Sequence, residues 1–313
     1  MTDSIEISDL TKQFEKITAV NDVSLDVQRG EVFGFLGPNA AGKSTTVKIA
    51  ATLLEPTKGT ISVEGYDVLE APVDVRSVTG LLPEDGANTH YDRLSAYKNL
   101  EYFGRLYDVP EEKLQDRIER LLEFLELSDR RDDSPATFST GLKQKLSLAR
   151  SMIHNPRVVF LDEPTSSLDP IMSKRVRDFI DEQAEVGKQT FFLCTHLLSE
   201  VEDLCDRVGF ISRGVLVEVG RPKDLRRKFW TVRTYEVQLA DADLSKGREI
   251  ISSTGLVEAA RVEKERVVFE VEEAETKNPQ IIRALMESDQ LIVEFRERVP
   301  DLEDVYLKVI GGN

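Results

Sequence analysis

The sequence predicts an α/β fold in two domains: a strand-loop-helix core carrying an antiparallel β subdomain and a helical subdomain, followed by a small α+β domain of ferredoxin-like type. Three observations predict it. Short apolar runs at Glu31–Leu36, Val158–Leu161 and Thr190–Cys194 are separated by loops and helical stretches, as buried parallel strands are. Residues 1 to about 30 instead alternate apolar and polar side chains (Ile5, Ile7; Val23, Leu25, Val27), the pattern of half-buried antiparallel strands. After Arg221-Pro222 the order becomes strand, helix, strand, strand, helix, strand, which is a split β-α-β arrangement.

Taken in order, the Glu31–Leu36 strand runs into a Gly-containing loop and a helix beginning near Lys43. Residues 95–107 and 110–126 read as amphipathic helices within a helical subdomain at about 90–150. The second carries Leu114, Ile118, Leu121, Leu122 and Leu125 on one face and has Pro110 at its start. A helical stretch from about Pro170 to Glu185 separates the next two buried strands. The basic run Leu225–Lys228 closes the first domain, which sets the expected boundaries at 1–228 and 229–313. Beyond it the expected elements are Thr231–Leu239, a helix at about 243–253, Val257–Val262, Arg266–Val271, the Pro279–Met286 helix, Leu291–Phe295 and a last helix near Leu302–Ile310.

Composition narrows the function. The chain has 313 residues, 40% hydrophobic and 31% charged, with a formal charge of -16, so it has the content of a folded globular protein. Without a Lys/Arg-rich block it lacks the phosphate-neutralising surface of general nucleic-acid binders, and its acidity disfavours docking on anionic lipid. Cys194 and Cys205 have neither disulfide nor zinc spacing and read as buried free thiols. The start MTDSIEISDL is no signal peptide, and no apolar run approaches the roughly 20 residues of a membrane helix. The expected location is the cytoplasm, with any membrane role exercised through a partner.

The chemistry is concentrated in a few segments. Gly37-Pro38-Asn39-Ala40-Ala41-Gly42-Lys43-Ser44-Thr45 matches G-x-x-x-x-G-K-S between a strand and a helix. Backbone N–H groups of such a loop and the helix N-terminus cradle nucleotide phosphates; Lys43 reaches the terminal phosphates and the Ser44 hydroxyl faces Mg²⁺. Asp162 and Glu163 end the Val158–Leu161 strand, from where one carboxylate can hold Mg²⁺ and the other can activate water. Two solvated strand-end acids would be the plain alternative, but the phosphate loop upstream disfavours it. Ser139 can cap a helix beginning near Thr140 and offer its hydroxyl to an anion, while Gly141 permits close backbone approach.

Together, FSTGLKQKLSLAR (Phe138–Arg150), LDEPTSSLDP (Leu161–Pro170) and Thr195-His196 resemble the ordered motifs of ATP-binding-cassette (ABC) ATPases over roughly residues 4–228. The resemblance implies ATP and Mg²⁺ as ligands, with Asp162 as the Mg²⁺-associated acid, Glu163 as catalytic base and His196 as the γ-phosphate sensor. It implies that Ser139 and Gly141 contact the γ-phosphate bound by another subunit, that Ser167-Leu168-Asp169 communicates across a dimer, and that adenine stacks on Phe14. FSTGLKQKL, LLPED and the tail PDLEDVYLKVIGG resemble the type-two exporter class, whose ATPase often bears an added C-terminal domain. The implied partners are polytopic membrane subunits and a second ATPase, either a copy or a relative, on the inner face of the membrane.

The chain also departs from the family pattern. Ala40 replaces a frequent Gly, and its methyl costs stability if φ is positive there. Glu84 stands where many relatives have Gln; it can still reach a metal but adds negative charge near the phosphates. Thr140, Leu142 and Ser167 are further replacements. A soluble ABC ATPase acting on ribosomes or DNA is the main alternative, disfavoured by charge and by the short spacing from Lys43 to Ser139. A catalytically dead binding module is opposed by the joint presence of Lys43, Asp162, Glu163 and His196, and a phosphate-loop kinase or GTPase would leave Ser139 to Gly141 unexplained.

Overall fold

The computed structural model describes residues 3–84, 89–186, 189–229, 233–240, 243–298 and 302–311, and the chain divides into two compact units, Met1–Pro222 and Lys223–Asn313. The division falls at the Arg221-Pro222 break rather than after Lys228, because Pro222 opens a continuous helix that reaches Phe229.

Two sheets build the first unit. β1 (Asp3–Phe14), β2 (Ile17–Gln28), β4 (Lys58–Val63) and β5 (Tyr66–Asp67) form an antiparallel sheet in the order β2-β1-β4-β5. The second contains β3 (Val32–Leu36), β6 (Thr79–Leu82), β7 (Val158–Asp162), β8 (Thr190–Thr195), β9 (Arg207–Ser212) and β10 (Val215–Gly220), ordered β10-β9-β3-β8-β7-β6. It is parallel except at its β10 edge. Every residue of β3, β7 and β8 is buried, which explains why these strands read as unbroken apolar runs. Phe192 is the hub of the core, with ring centroids of Phe33, Phe35 and Phe160 at 5.5, 5.3 and 5.8 Å.

Helices α1 (Lys43–Ala50), α2 (Pro72–Val78), α5 (Thr140–Met152), α6 (Pro170–Glu185) and α7 (Leu198–Leu204) connect the strands, and α3 (Ala96–Leu106) and α4 (Glu111–Phe124) form the helical subdomain with α5. Ser95 caps α3, accepting from Lys98 N–H at 3.2 Å. α4 buries Leu114, Ile118 and Leu122, three residues of one helical face. Gly104 lets the two helices approach, since a Cβ there would lie 2.3 Å from Leu114 Cδ1.

After α8 (Pro222–Phe229), the second unit runs β11 (Arg233–Leu239), α9 (Leu244–Ser253), β12 (Ala259–Glu263), β13 (Arg266–Val271), α10 (Ala274–Glu287), β14 (Ile292–Arg298) and α11 (Leu302–Gly311). Its antiparallel sheet has the order β12-β13-β11-β14, the split β-α-β topology of ferredoxin-like folds. Val237, Val267 and Phe269 of the sheet share a core with Ile251 of α9 and Ile281 and Leu285 of α10. The expectation that Pro279 starts a helix is corrected: α10 begins at Ala274 and Pro279 sits in its second turn, where the missing N–H removes one bond near the helix start. Thr231 and Val232, the first residues of the expected strand, lie outside the described residues.

Two histidines to which the sequence assigns no role are structural. His154 lies flat on Tyr107, with centroids 3.9 Å apart, and its Nε2–H donates to the Thr79 carbonyl at 2.9 Å. His90 Nε2 lies 2.9 Å from the Lys143 carbonyl oxygen. Burial pushes both pKa values down to about 4. Each is neutral in the fold, whereas the unfolded chain takes up a proton near pH 6.5, so their contribution to stability is complete above pH 6.5 and is lost as pH falls towards 4. The limit is on the order of 3 kcal/mol per histidine. Urea unfolding between pH 7 and 5 is expected to show falling stability, with a shallower slope in His154→Gln, which retains a donor for Thr79; equal slopes would exclude His154 from this linkage.

Candidate functional site

The β3 strand delivers the phosphate loop, and backbone crowding holds it in place. A Cβ on Gly37 would lie 2.3 Å from the Ile211 carbonyl oxygen, and one on Gly42, at φ 112°, would lie 2.5 Å from that of Ala19. Ala40 takes φ 64°, so the expected penalty is real: an L-residue in the left-handed region costs about 1 kcal/mol. Lys43 is buried and donates from Nζ to the carbonyls of Gly37 at 2.5 Å and Pro38 at 3.2 Å, which holds its charge over the loop.

The carboxylates arrive from β7. Asp162 is 3% exposed; burial pushes its pKa up, the Ser44 hydroxyl opposes this, and the charges of Glu84 and Glu163 raise it further. Glu84 reaches the same point, with Ser44 Oγ donating to its Oε2 at 3.5 Å. Glu163 extends the sheet by donating its N–H to the Cys194 carbonyl at 2.8 Å, then turns through φ 52° so that its side chain meets the end of β8. There Thr195 Oγ1 donates to Glu163 Oε2 at 3.3 Å, and His196 Nδ1 lies 2.7 Å from Glu163 Oε1. With Glu163 as the acceptor, that contact is donated from Nδ1–H of His196.

A cavity of 460 Å³ joins these groups: Asn39 through Thr45, Glu84, Asp162 and Glu163 line it, together with Ile17–Ala19 and Arg213. His196 is tied to it through Glu163. Gly37 and Pro38 do not line it either, though their carbonyls hold Lys43, and Phe14, Ser139, Gly141 and Asp169 also lie outside. Phe14 is 42% exposed with Lys12 Nζ 5.0 Å from its ring centroid, although its strand partner Ile17 does line the cavity. Ser139 caps α5, accepting from Leu142 N–H at 3.4 Å. Gly141 packs against the loop after β7, where a Cβ would meet the Ser167 carbonyl oxygen at 2.7 Å. Asp169 caps α6, and the bonds from Met172 and Ile171 N–H hold its carboxyl below the usual range. A larger cavity of 960 Å³ in the second unit is lined by glutamates and arginines that largely pair with one another, and it holds none of the motifs.

Two supporting residues escaped the sequence reading. Gln144 of α5 is buried and donates to the carbonyls of Glu163 at 3.2 Å and Pro164 at 3.4 Å, tying the signature helix to the catalytic turn. Glu200 of α7 is buried and accepts from Thr165 Oγ1 at 2.9 Å, and burial pushes its pKa up. Gln144 stands inside the signature run and was visible as a motif member. Nothing in the sequence distinguishes Glu200 from an exposed helical acid.

Fold and cavity together define a phosphate-loop nucleotide hydrolase, and comparisons with known proteins refine the class. Residues 20–166 match the family profile described as ABC transporter, and residues 220–310 match the C-terminal domain of DrrA1-3-like ATP-binding proteins. The ABC transporter ATP-binding protein NatA of Bacillus subtilis (strain 168) is 38% identical over 225 residues, 71% of this chain and 91% of its own. The daunorubicin resistance ATP-binding protein DrrA3 of Streptomyces coeruleorubidus is 31% identical over 310 residues, 99% of this chain and 96% of its own. A solved ATP-binding subunit of an ABC transporter, 31% identical, superposes with a TM-score of 0.68 over 72% of this chain and 92% of its own. The chain belongs to the family of ABC transporter ATP-binding proteins and is an ATPase.

The contact geometry around Glu163 sets up a direct test of its role. Glu163→Gln keeps the shape and the contact with Thr195 but removes the base, so ATP affinity should hold within a few-fold while turnover falls by about 10²-fold or more. Steady-state hydrolysis near the wild-type rate would remove Glu163 from catalysis.

Proposed function

We propose that two copies of this chain, or one copy and a related ATPase, close head to tail around two MgATP and drive separate polytopic membrane subunits in export. One observation carries the reading: Lys43, Ser44, Asp162 and Glu163 share a cavity, whereas Ser139, the exposed cap of α5, lies outside it. A signature so placed serves the nucleotide of a partner. On this reading the first unit hydrolyses ATP and the unit after α8 is an accessory domain. The names of relatives such as DrrA3 and the Nod factor export protein of Cupriavidus pinatubonensis support the direction.

The residues present fit a magnesium ion. Ser44, Glu84 and Asp162 converge, and the burial of Asp162 among other acids is relieved by a cation beside it. Among the described residues no cluster of three His, Cys, Asp or Glu could hold a metal alone, which suits an ion that keeps waters and phosphate oxygens in its shell. Ser44, Glu84 and Asp162 would hold such an ion, whose positive charge would offset that of the terminal phosphates. Lys43 holds the same phosphates, Glu163 accepts a proton from the attacking water, and His196 is fixed by Glu163 to face the γ-phosphate.

The partner-facing surface is read from exposed apolar groups near Glu84. A groove of 460 Å³ beside the nucleotide cavity is lined by Leu53, Leu81, Pro83 and Glu84, and Leu53 is exposed. Tyr91, Tyr102 and Leu106 of the helical subdomain are exposed as well, with Tyr91 and Tyr102 edge to face at 5.1 Å. Glu84 lines both cavities, so movement of a partner in the groove bears on the Ser44 side of the nucleotide site. Among the described residues no helix is long and apolar enough to cross a membrane. We place the chain on the inner face of the membrane through its partners.

Two experiments test this. Photo-crosslinkers at Leu53 and Tyr102 in native membranes should capture a polytopic protein; capture of other ATPase copies alone would count against the docking face. Mixing Lys43→Ala with Ser139→Glu chains should restore hydrolysis, to about a quarter of the wild-type rate, since half the dimers are mixed and each of these has one intact site. Gly141 is unsuited to this test, because a side chain there strikes Ser167 of its own chain. Mixtures as inactive as their parents, with a Glu163→Gln chain that stays monomeric at saturating MgATP, would defeat the shared site.

A further inference from the structure

The nucleotide cavity has one charged lining residue that no motif accounts for. Arg213 is the first residue of the two-residue turn between β9 and β10, where Ser212 pairs with Val215. It and Gly214 take φ 50° and 82°, the conformation of a tight hairpin turn. The turn is bonded to the site on both sides: Gly214 N–H donates to the Ala41 carbonyl at 2.9 Å, and the Gly214 carbonyl accepts from Asn21 N–H at 2.8 Å. Gly214 also lies so close to β2 that a Cβ would meet the Ala19 carbonyl oxygen at 2.9 Å. Arg213 is thus carried on backbone that is bonded to the phosphate loop itself.

Its side chain is exposed, and among the described residues it makes no hydrogen bond and no ion pair. Arg207, on the same hairpin, is by contrast paired with Asp26 and Glu31. The cavity's bonded neighbours give it two ends. Glu84, Asp162 and Glu163 gather with Ser44 at one, while Ile17, Thr18 and Ala19 stand with the Arg213 turn at the other. With the terminal phosphates at the carboxylate end, the apolar wall of Ile17 and Ala19 takes the nucleoside. A guanidinium is planar, permanently charged and weakly hydrated, so it can lie over a base and donate to ribose oxygens.

We propose that Arg213 is a nucleotide-binding residue that holds the base and ribose of ATP, opposite the wall formed by Ile17–Ala19. This rests on the reading of the cavity as the ATP site, and the test separates the two. Binding of a non-hydrolysable ATP analogue and of inorganic tripolyphosphate, each with Mg²⁺, is measured by calorimetry for wild type, Arg213→Ala, Arg213→Lys and Lys43→Ala. Arg213→Ala, an exposed truncation, should weaken the analogue about tenfold and leave tripolyphosphate within twofold, with Arg213→Lys intermediate because it keeps charge but not the plane. Equal weakening of both ligands in Arg213→Ala would overturn the assignment in favour of a phosphate contact. No change in either, while Lys43→Ala weakens both, would overturn the role of Arg213 and leave the cavity reading standing. No change in Lys43→Ala would remove the cavity reading and the proposal with it.

Discussion

Parallel pairing of β3, β8 and β7 brings the end of β3 to one edge of a sheet with the ends of two strands more than a hundred residues further along the chain. Leu36 lies opposite Thr195, and Asp162 lies opposite Cys194, so the phosphate loop, the paired carboxylates and His196 all begin where their strands stop. The bond from Glu163 N–H to the Cys194 carbonyl adds one more rung and then releases the chain into the turn that aims Glu163 at His196. A slip of one residue in any of these strands would turn its inward side chains outward and take its functional group off the site. The Phe192 cluster, filling the sheet's buried face, is what makes such a slip costly.

Around that edge the protein accepts unfavourable local terms. Ala40 and Glu163 occupy left-handed backbone, Asp162 is buried beside two other acids, and Gly37 and Gly42 stand where any side chain would strike a carbonyl. Ala40, Asp162 and Glu163 each carry a cost in the folded chain, and all three line the same cavity, as does Gly42. Left-handed backbone also occurs at turns elsewhere in the chain, so what sets this edge apart is the gathering of carboxylates beside the phosphate loop, which favours a ligand of opposite charge. The acids answer a cation, and the loop N–H groups with Lys43 answer phosphate.

The signature helix is bound into this arrangement from its own chain although its cap points elsewhere. Gln144 holds the carbonyls of Glu163 and Pro164, and Gly141 touches Ser167, so the start of α5 and the catalytic turn are mechanically joined. In the proposed dimer, a change at the signature would therefore be felt at the chain's own Glu163 as well as at the partner's nucleotide. Glu200 adds a second tie from α7 to Thr165, two residues beyond Glu163.

Much of the fold and of the candidate site was legible in the sequence because it depends on short-range chemistry. The G-x-x-x-x-G-K-S loop needs particular residues in consecutive positions, buried parallel strands need unbroken apolar runs, and the second unit's strand-helix order announces its topology. Pro279 misled because proline favours a helix's first position, whereas here α10 runs through it at the loss of one backbone bond. The sequence by itself thus determined the fold class, the family and the candidate residues for the chemistry. Only the tertiary structure decided which of them share a cavity, that Phe14 and the signature stand outside it, and that Gln144, Glu200 and Arg213 belong to its surroundings. Those roles come from contacts between positions far apart in the chain, where a Gln, a Glu or an Arg looks no different from any solvated polar residue until the strands bring it into place.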